Sequence, residues 1–222
     1  MVFGGLGPAI ASYIVYKIEH SKVIFKDFVK HIFANTWEKN TLIIFGAFTF
    51  WRVFMIWLAF GIDRPISILG VILNLPFLIV LGGLEELGWR GFLQPKLEQA
   101  SNYYLSILFV GLFWGLWHIP LWFIPGTVHC GLPFMLYLLS GFVLTSSFTT
   151  LFKYTNSLFL TILSHAWFNG FIGFALYTAS DGTQKIDISF KAILIFGFEF
   201  LVSTILSIYL NYRKRKLHEI TK

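Results

Sequence analysis

Apolar residues run almost unbroken through seven stretches of this chain: Val2–Tyr16, Thr41–Phe60, Ile66–Leu84, Tyr103–Ile124, Gly131–Phe152, Ser157–Thr178 and Ser189–Tyr212. A membrane-crossing helix needs about 20 mostly apolar residues, so each stretch predicts a span, the first being the shortest. Between the first two, Val23, Ile24, Phe28 and Ile32 alternate with Lys22, Lys26 and Lys30. That spacing predicts an amphipathic helix lying on the membrane surface. "LQPKLEQASN" reads as a second such stretch, with Pro95 ending or kinking the helix before it. With no internal repeat and no long linker, residues 1–222 are expected to form a single membrane-embedded domain. The expected fold is all-α, a polytopic transmembrane helical bundle of about seven spans plus short amphipathic surface helices.

Composition agrees. Of 222 residues 56% are hydrophobic and only 13% charged, about half the charge of an ordinary soluble domain. A lone cysteine, Cys130, rules out an intrachain disulfide and a CxxC metal site. The opening "MVFGGLGPAIASYIVYK" has neither a basic n-region nor a small-residue cleavage site, so it reads as a membrane segment rather than a secretory signal. The formal charge of +6 is a matter of placement. If the "RKRK" of Arg213–Lys216 is cytoplasmic, every lysine and arginine except Arg52, Arg64, Lys185 and Lys191 falls on that side. The basic excess is then a topology signal and gives no reason to expect nucleic-acid binding. An integral protein of a prokaryotic plasma membrane with a cytoplasmic C-terminus is expected. A short, uncharged, external first span suggests that a preceding helix lies outside this chain.

A few polar side chains interrupt the apolar runs: Arg52, Asn74, Glu85, Glu86, Arg90, His118, His165, Asn169 and Glu199. An ionised group at the centre of a membrane helix costs roughly 2.5–3.5 kcal/mol on insertion scales. Any one of them alone could serve merely to hold helices together. Their spacing argues for more. Glu86 and Arg90 in "LEELGWRGFL" are four apart and share a helix face, whereas Glu85 is turned about 100° away toward other partners. His118 follows Trp114 by one turn in "FWGLWHIPLWF", and His165 and Asn169 share a face in "SHAWFNG". Three separate runs thus each supply groups suited to acid–base work or to binding an oxyanion. Arg52 and Glu199, on different spans, are candidates to satisfy one another.

Glu85-Glu86-x-x-x-Arg90, Trp114-x-x-x-His118 and His165-x-x-x-Asn169 together resemble the motifs of the CPBP intramembrane proteases. That family, also called Abi, comprises CAAX proteases and bacteriocin-processing enzymes and includes the type II CAAX prenyl endopeptidases. The likeness runs from about Leu81 to Asn169, within a motif core of about 66–178. Trp114 stands where the family usually has phenylalanine, and members commonly have about eight helices. The resemblance implies an intramembrane endopeptidase in which Glu85 and His118 activate a water while His165 and Asn169 bind the oxyanion. Glu86, Arg90 and Trp114 would support them. The implied substrate is a peptide or protein, membrane-associated or lipid-modified, and cleavage is expected near the cytoplasmic side, where Glu85 ends its apolar run.

The family is often labelled a metalloprotease, and Glu85, His118 and His165 are the ligands zinc would take. No HExxH is present, and a metal-free glutamate–histidine mechanism with no cofactor is the favoured reading. Rival functions are a non-proteolytic bacteriocin-immunity or scaffold protein of the same fold, and a transporter with a proton-relay carboxylate. The intact polar set argues against the first. The lack of paired Gly/Pro-broken helices argues against the second. His20, His31, His129 and Cys130 are expected to lie outside the site, whereas Trp89, Trp114, Trp117 and Trp167 are expected to wall it.

Overall fold

A computed structural model describes residues 2–22, 24–61, 67–180, 182–186 and 188–220, the side chains of 2–4, 211 and 214–220 excepted. Val23, Arg64, Lys222, and the side chains of Lys214, Arg215, Lys216, His218 and Glu219, on which parts of the charge and pattern readings rest, lie outside the described residues. In hydrocarbon every backbone N–H and C=O must find a partner within the chain, so the apolar runs fold as helices. They are α1 (Val2–Glu19), α2 (Phe25–Ile32), α3 (Lys39–Phe60), α4 (Ile68–Ala100), α5 (Tyr103–Trp117), α6 (Phe134–Thr155), α7 (Leu158–Phe171) and α8 (Phe190–Ile220). Among the described residues, six helical segments are long and apolar enough to cross a membrane: α3, α4, α5 with the turn that extends it to Phe123, α6, α7 with its extension to Ala175, and Phe190–Leu210 of α8. The first predicted span, α1, folds as an 18-residue helix outside that set. The all-α expectation holds. A small hairpin, Leu176–Thr178 paired antiparallel with Gln184–Ile186, takes up the end of the sixth predicted span.

Local signals start the helices. Ser67 Oγ accepts from Gly70 N at the head of α4, Asn102 Oδ1 accepts from Tyr104 N and Leu105 N at the head of α5, and Ser157 Oγ accepts from Leu160 N at the head of α7. The amphipathic expectation is met by α2, whose Phe28 is buried while Lys26 and Lys30 are exposed.

The largest departure from the sequence reading is α4. Its apolar run neither stops at Leu84 nor breaks at Pro95. It continues to Ala100 through two wide turns of π-helix, Ile79–Gly83 and Trp89–Leu93. Leu84 N–H bonds Ile79 O at 2.8 Å, five residues back, and Gln94 N–H bonds Trp89 O in the same way. Such turns insert an extra residue per turn and often mark functional sites. The second one restarts the helix at Gln94, which puts Pro95 in a first turn where its missing N–H costs nothing. "LQPKLEQASN" is therefore the end of α4, not a separate surface helix. Glu85 likewise does not end a helix. At 1.5 Å per residue it stands about 25 Å from the Ile68 end and about 22 Å from the Ala100 end. This removes the basis for expecting cleavage near one membrane face.

The bundle is built around α6 and α7, whose spans are 56% and 67% buried against 17–28% in the other four. Phe148, Leu144, Phe168 and Phe171 of these helices pack with Ile56, Val71, Val110 and Trp114. A hydroxyl seam joins α6 to α8: Ser147 Oγ to Ser203 Oγ at 2.8 Å, Ser146 to Thr204 at 3.3 Å, and Thr150 to Ser207. Between lipid-exposed helices such bonds average about 0.6 kcal/mol each. Arg52 of α3 and Glu199 of α8 do pair, at 3.0 Å and almost fully buried, with the guanidinium over the rings of Phe48, Phe148 and Phe168. On the far side α1 lies directly against the middle of α4. A Cβ on Gly88 would come within 2.5 Å of Pro8 Cβ and 2.7 Å of Pro8 O.

Candidate active site

The two wide turns of α4 bracket Glu85–Gly88, and the two glutamates leave this segment in different directions. Glu86 is completely buried. Its Oε1 accepts from Arg90 of the same helix at 3.0 Å and from His165 Nδ1 of α7 at 2.8 Å. Both are charge-assisted contacts that fix the imidazole. The face of His165 stacks on Phe148 of α6 at 5.2 Å, and the Arg90 guanidinium lies over that same phenyl ring. Glu85, one residue earlier, accepts from Trp89 Nε1 at 3.3 Å through Oε2 and turns Oε1 toward His118. The Glu85–Trp89 spacing repeats that of Glu86–Arg90, so Trp89 was readable in sequence as a partner of the first glutamate.

His118 caps the C-terminus of α5, placed there because Pro120 prevents a further α-helical turn and a 3₁₀ turn, Ile119–Phe123, follows. The Trp114-x-x-x-His118 spacing has a structural meaning. His118 Nδ1 lies 2.7 Å from the main-chain oxygen of Trp114, which can only accept. Nδ1 therefore carries the hydrogen, and Nε2 presents a lone pair. Nε2 stands 3.9 Å from Glu85 Oε1. That is too long for a hydrogen bond and right for one water donating to both acceptors.

The third motif enters from α7. Asn169, one turn beyond His165, reaches over Gly82 of α4, where a Cβ would overlap its Nδ2 and lie 3.7 Å from His165 Nε2. The wide turn and the missing side chain together make room for the amide. Glu85, His118, His165 and Asn169 all line one cavity of about 890 Å³, with Gly82, Trp114 and Tyr137 among the other lining residues. Its remaining wall is mostly apolar and runs between α5, α6 and α8.

Two expectations need correction. Of the tryptophans expected to wall the cavity, Trp114 does so. Trp89 instead packs behind Glu85, Trp117 lies against α1 at Gly7, and Trp167 stacks on Phe171. His129, expected to be remote, lines the cavity against Trp122 and Tyr137, and burial holds its imidazole below the usual histidine value. Asn74 is exposed and donates to Gly70 O at 2.9 Å, away from the cavity. Two residues that no motif announced also belong here: Phe148 behind His165, and Tyr137 beside His118 at 5.4 Å. Both look in sequence like ordinary aromatic positions of an apolar span.

Glu85, His118 and His165, the candidate zinc ligands, share the cavity without forming a ligand set. Among the described residues no three His, Cys, Asp or Glu side chains are gathered as one ion requires. No step is therefore derived through a metal.

Residues 65–171 match the model of the family described as type II CAAX prenyl endopeptidase Rce1-like. The chain is also similar to the CAAX prenyl protease 2 of Methanococcus maripaludis, with 32% identity over 104 aligned residues. That alignment covers 42% of this chain and 37% of the relative, so the matched region spans little more than a third of the relative's length. The matched segment holds all three motifs, with Glu85, His118, Tyr137, His165 and Asn169 of the cavity. With six apolar helices long enough to span among the described residues, the chain is an integral membrane protein, and its residues 65–171 are similar to the type II CAAX prenyl endopeptidases.

Proposed function

We propose that this protein is a CAAX-type intramembrane endopeptidase that hydrolyses a peptide bond of a lipid-modified or membrane-associated substrate within the bundle. The observation that carries the reading is the meeting of four side chains from three helices in one cavity, with a one-water gap between Glu85 and His118. A water in that gap donates one hydrogen to each acceptor and turns its lone pair to the substrate carbonyl. Its oxygen bonds to the carbonyl carbon and a proton passes to Glu85. The carbonyl oxygen becomes an oxyanion, received by the amide N–H of Asn169 and by Nε2–H of His165. The His165 role requires a hydrogen on both ring nitrogens, with Nδ1–H held by Glu86. Glu85 then gives the proton to the departing nitrogen, the C–N bond breaks, the remaining water proton passes from the new carboxyl group to the amine, and a carboxylate and an ammonium leave.

The apolar extension of the cavity supports a substrate with an attached lipid, and the activity for which the archaeal relative is named points the same way. The test is cleavage of a farnesylated peptide ending in Cys-aliphatic-aliphatic-X by purified protein in nanodiscs. Wild type should release the terminal tripeptide, whereas Glu85→Gln and His118→Ala should lose at least about a hundredfold in kcat. Equal rates in all three proteins would refute the proposed roles.

A further inference from the structure

One polar group in the cavity has no part in the chemistry above. Tyr137 of α6, a fourth helix, is fixed by aromatic neighbours on all sides. Its ring stacks on Trp114 at 5.4 Å and 8°, meets Trp122 edge-on at 5.0 Å, and lies 5.4 Å from both His118 and His129. Its main-chain oxygen accepts from Ser140 Oγ at 2.6 Å, yet no described residue bonds its hydroxyl. Tyr137 lines the cavity beside Glu85 and His118, and its phenol is within electrostatic reach of the Glu85 carboxylate. A phenol that lines the cavity beside Glu85 and His118 and has no hydrogen-bond partner among the described residues is available to a ligand in that cavity.

We propose that Tyr137 is a further catalytic residue: its phenolic O–H donates a hydrogen bond to the attacking water oxygen as that oxygen bonds to the carbonyl carbon. The tyrosine keeps its proton throughout. The water proton goes to Glu85 and then to the departing nitrogen, so no further co-reactant enters. The hydrogen bond counts for more in the tetrahedral intermediate than in the bound substrate, because the former water oxygen keeps its second proton in a hydrogen bond to His118 Nε2 and gains negative charge as that proton is drawn toward the imidazole. Asn169 and His165 serve the oxyanion, and Tyr137 serves the hydroxyl oxygen that came from water.

This inference rests on the peptidase reading, and the test separates the two. Tyr137→Phe keeps the ring and its packing and removes only the hydroxyl. On the farnesylated peptide, kcat should fall about a hundredfold with KM within about twofold, and the unfolding midpoint should match wild type. A phosphinate isostere of the peptide, which mimics the singly charged tetrahedral intermediate, should bind Tyr137→Phe more weakly than wild type by a similar factor, while the uncleaved peptide binds both alike. As a second variant, 3,5-difluorotyrosine at 137 preserves the fold and acidifies the phenol, so the alkaline limb of kcat should move to lower pH. If wild type cleaves, Glu85→Gln does not, and Tyr137→Phe keeps kcat within twofold, the role of Tyr137 is overturned and the peptidase reading stands. If wild type neither cleaves the peptide nor binds the phosphinate, both are overturned.

Discussion

Gly82 and Gly83 are adjacent, and adding one methyl to each should have opposite consequences. At Gly82 the new Cβ would overlap Asn169 Nδ2, the free end of a flexible side chain, and would stand 3.7 Å from His165 Nε2. The amide can swing aside at little cost to the fold, and replacing glycine by alanine in a helix returns up to about 1 kcal/mol of propensity. Once moved, however, the amide no longer points at the proposed oxyanion position. Losing one such donor costs roughly a hundred- to a thousandfold in kcat. At Gly83 the Cβ would lie 2.7 Å from Ile162 O and 3.2 Å from Ile162 Cγ2. That oxygen is main chain, about 0.7 Å inside ordinary contact, so α4 and α7 must separate. Overpacking of this kind costs about 1–3 kcal/mol. Gly82→Ala should therefore unfold like wild type and turn over poorly. Gly83→Ala should unfold more readily, with any loss of rate tracking its folded fraction. Denaturant titration in mixed micelles, beside kcat and KM on the farnesylated peptide, reads both quantities. Wild-type kcat in Gly82→Ala would show that Asn169 does not act from this position and would refute the argument.

The buried pair and the hydroxyl seam respond to substitution in calculable ways. Arg52→Met and Glu199→Gln should each destabilise by about 3–5 kcal/mol, because each strands a buried charge or half of its partner's bonding. The double variant Arg52→Met/Glu199→Met should recover most of that, and a double-mutant cycle without coupling would contradict it. Ser147→Ala combined with Ser203→Ala should cost no more than about 1–2 kcal/mol, read by the same titration. Treatment with a strong chelator, with zinc measured by elemental analysis, should leave the cleavage rate unchanged; stoichiometric zinc lost together with activity would reverse the preference for a metal-free water.

What was legible in the sequence shares one property: it concerns residues within about one helical turn of each other, or the overall apolarity of a run. Spans, the surface helix α2, and the Glu86–Arg90 and Trp114–His118 relations stem from the 3.6-residue period alone, and the order of three such local relations carried the family resemblance. The tertiary structure decided everything that depends on how one helix is rotated against another. That Glu86 holds His165 rather than facing the cavity, that Arg52 meets Glu199, and that Tyr137 joins the site from α6 are consequences of packing around α6 and α7. The two wide turns of α4 are the sharpest case. Each extra residue rotates the remainder of the helix by about 100°, yet no residue in "IVLGG" or "WRGFL" forces it locally. Close neighbours, α1 at Gly88 and Asn169 at Gly82, occupy the space that an unbroken α-helix with side chains would fill.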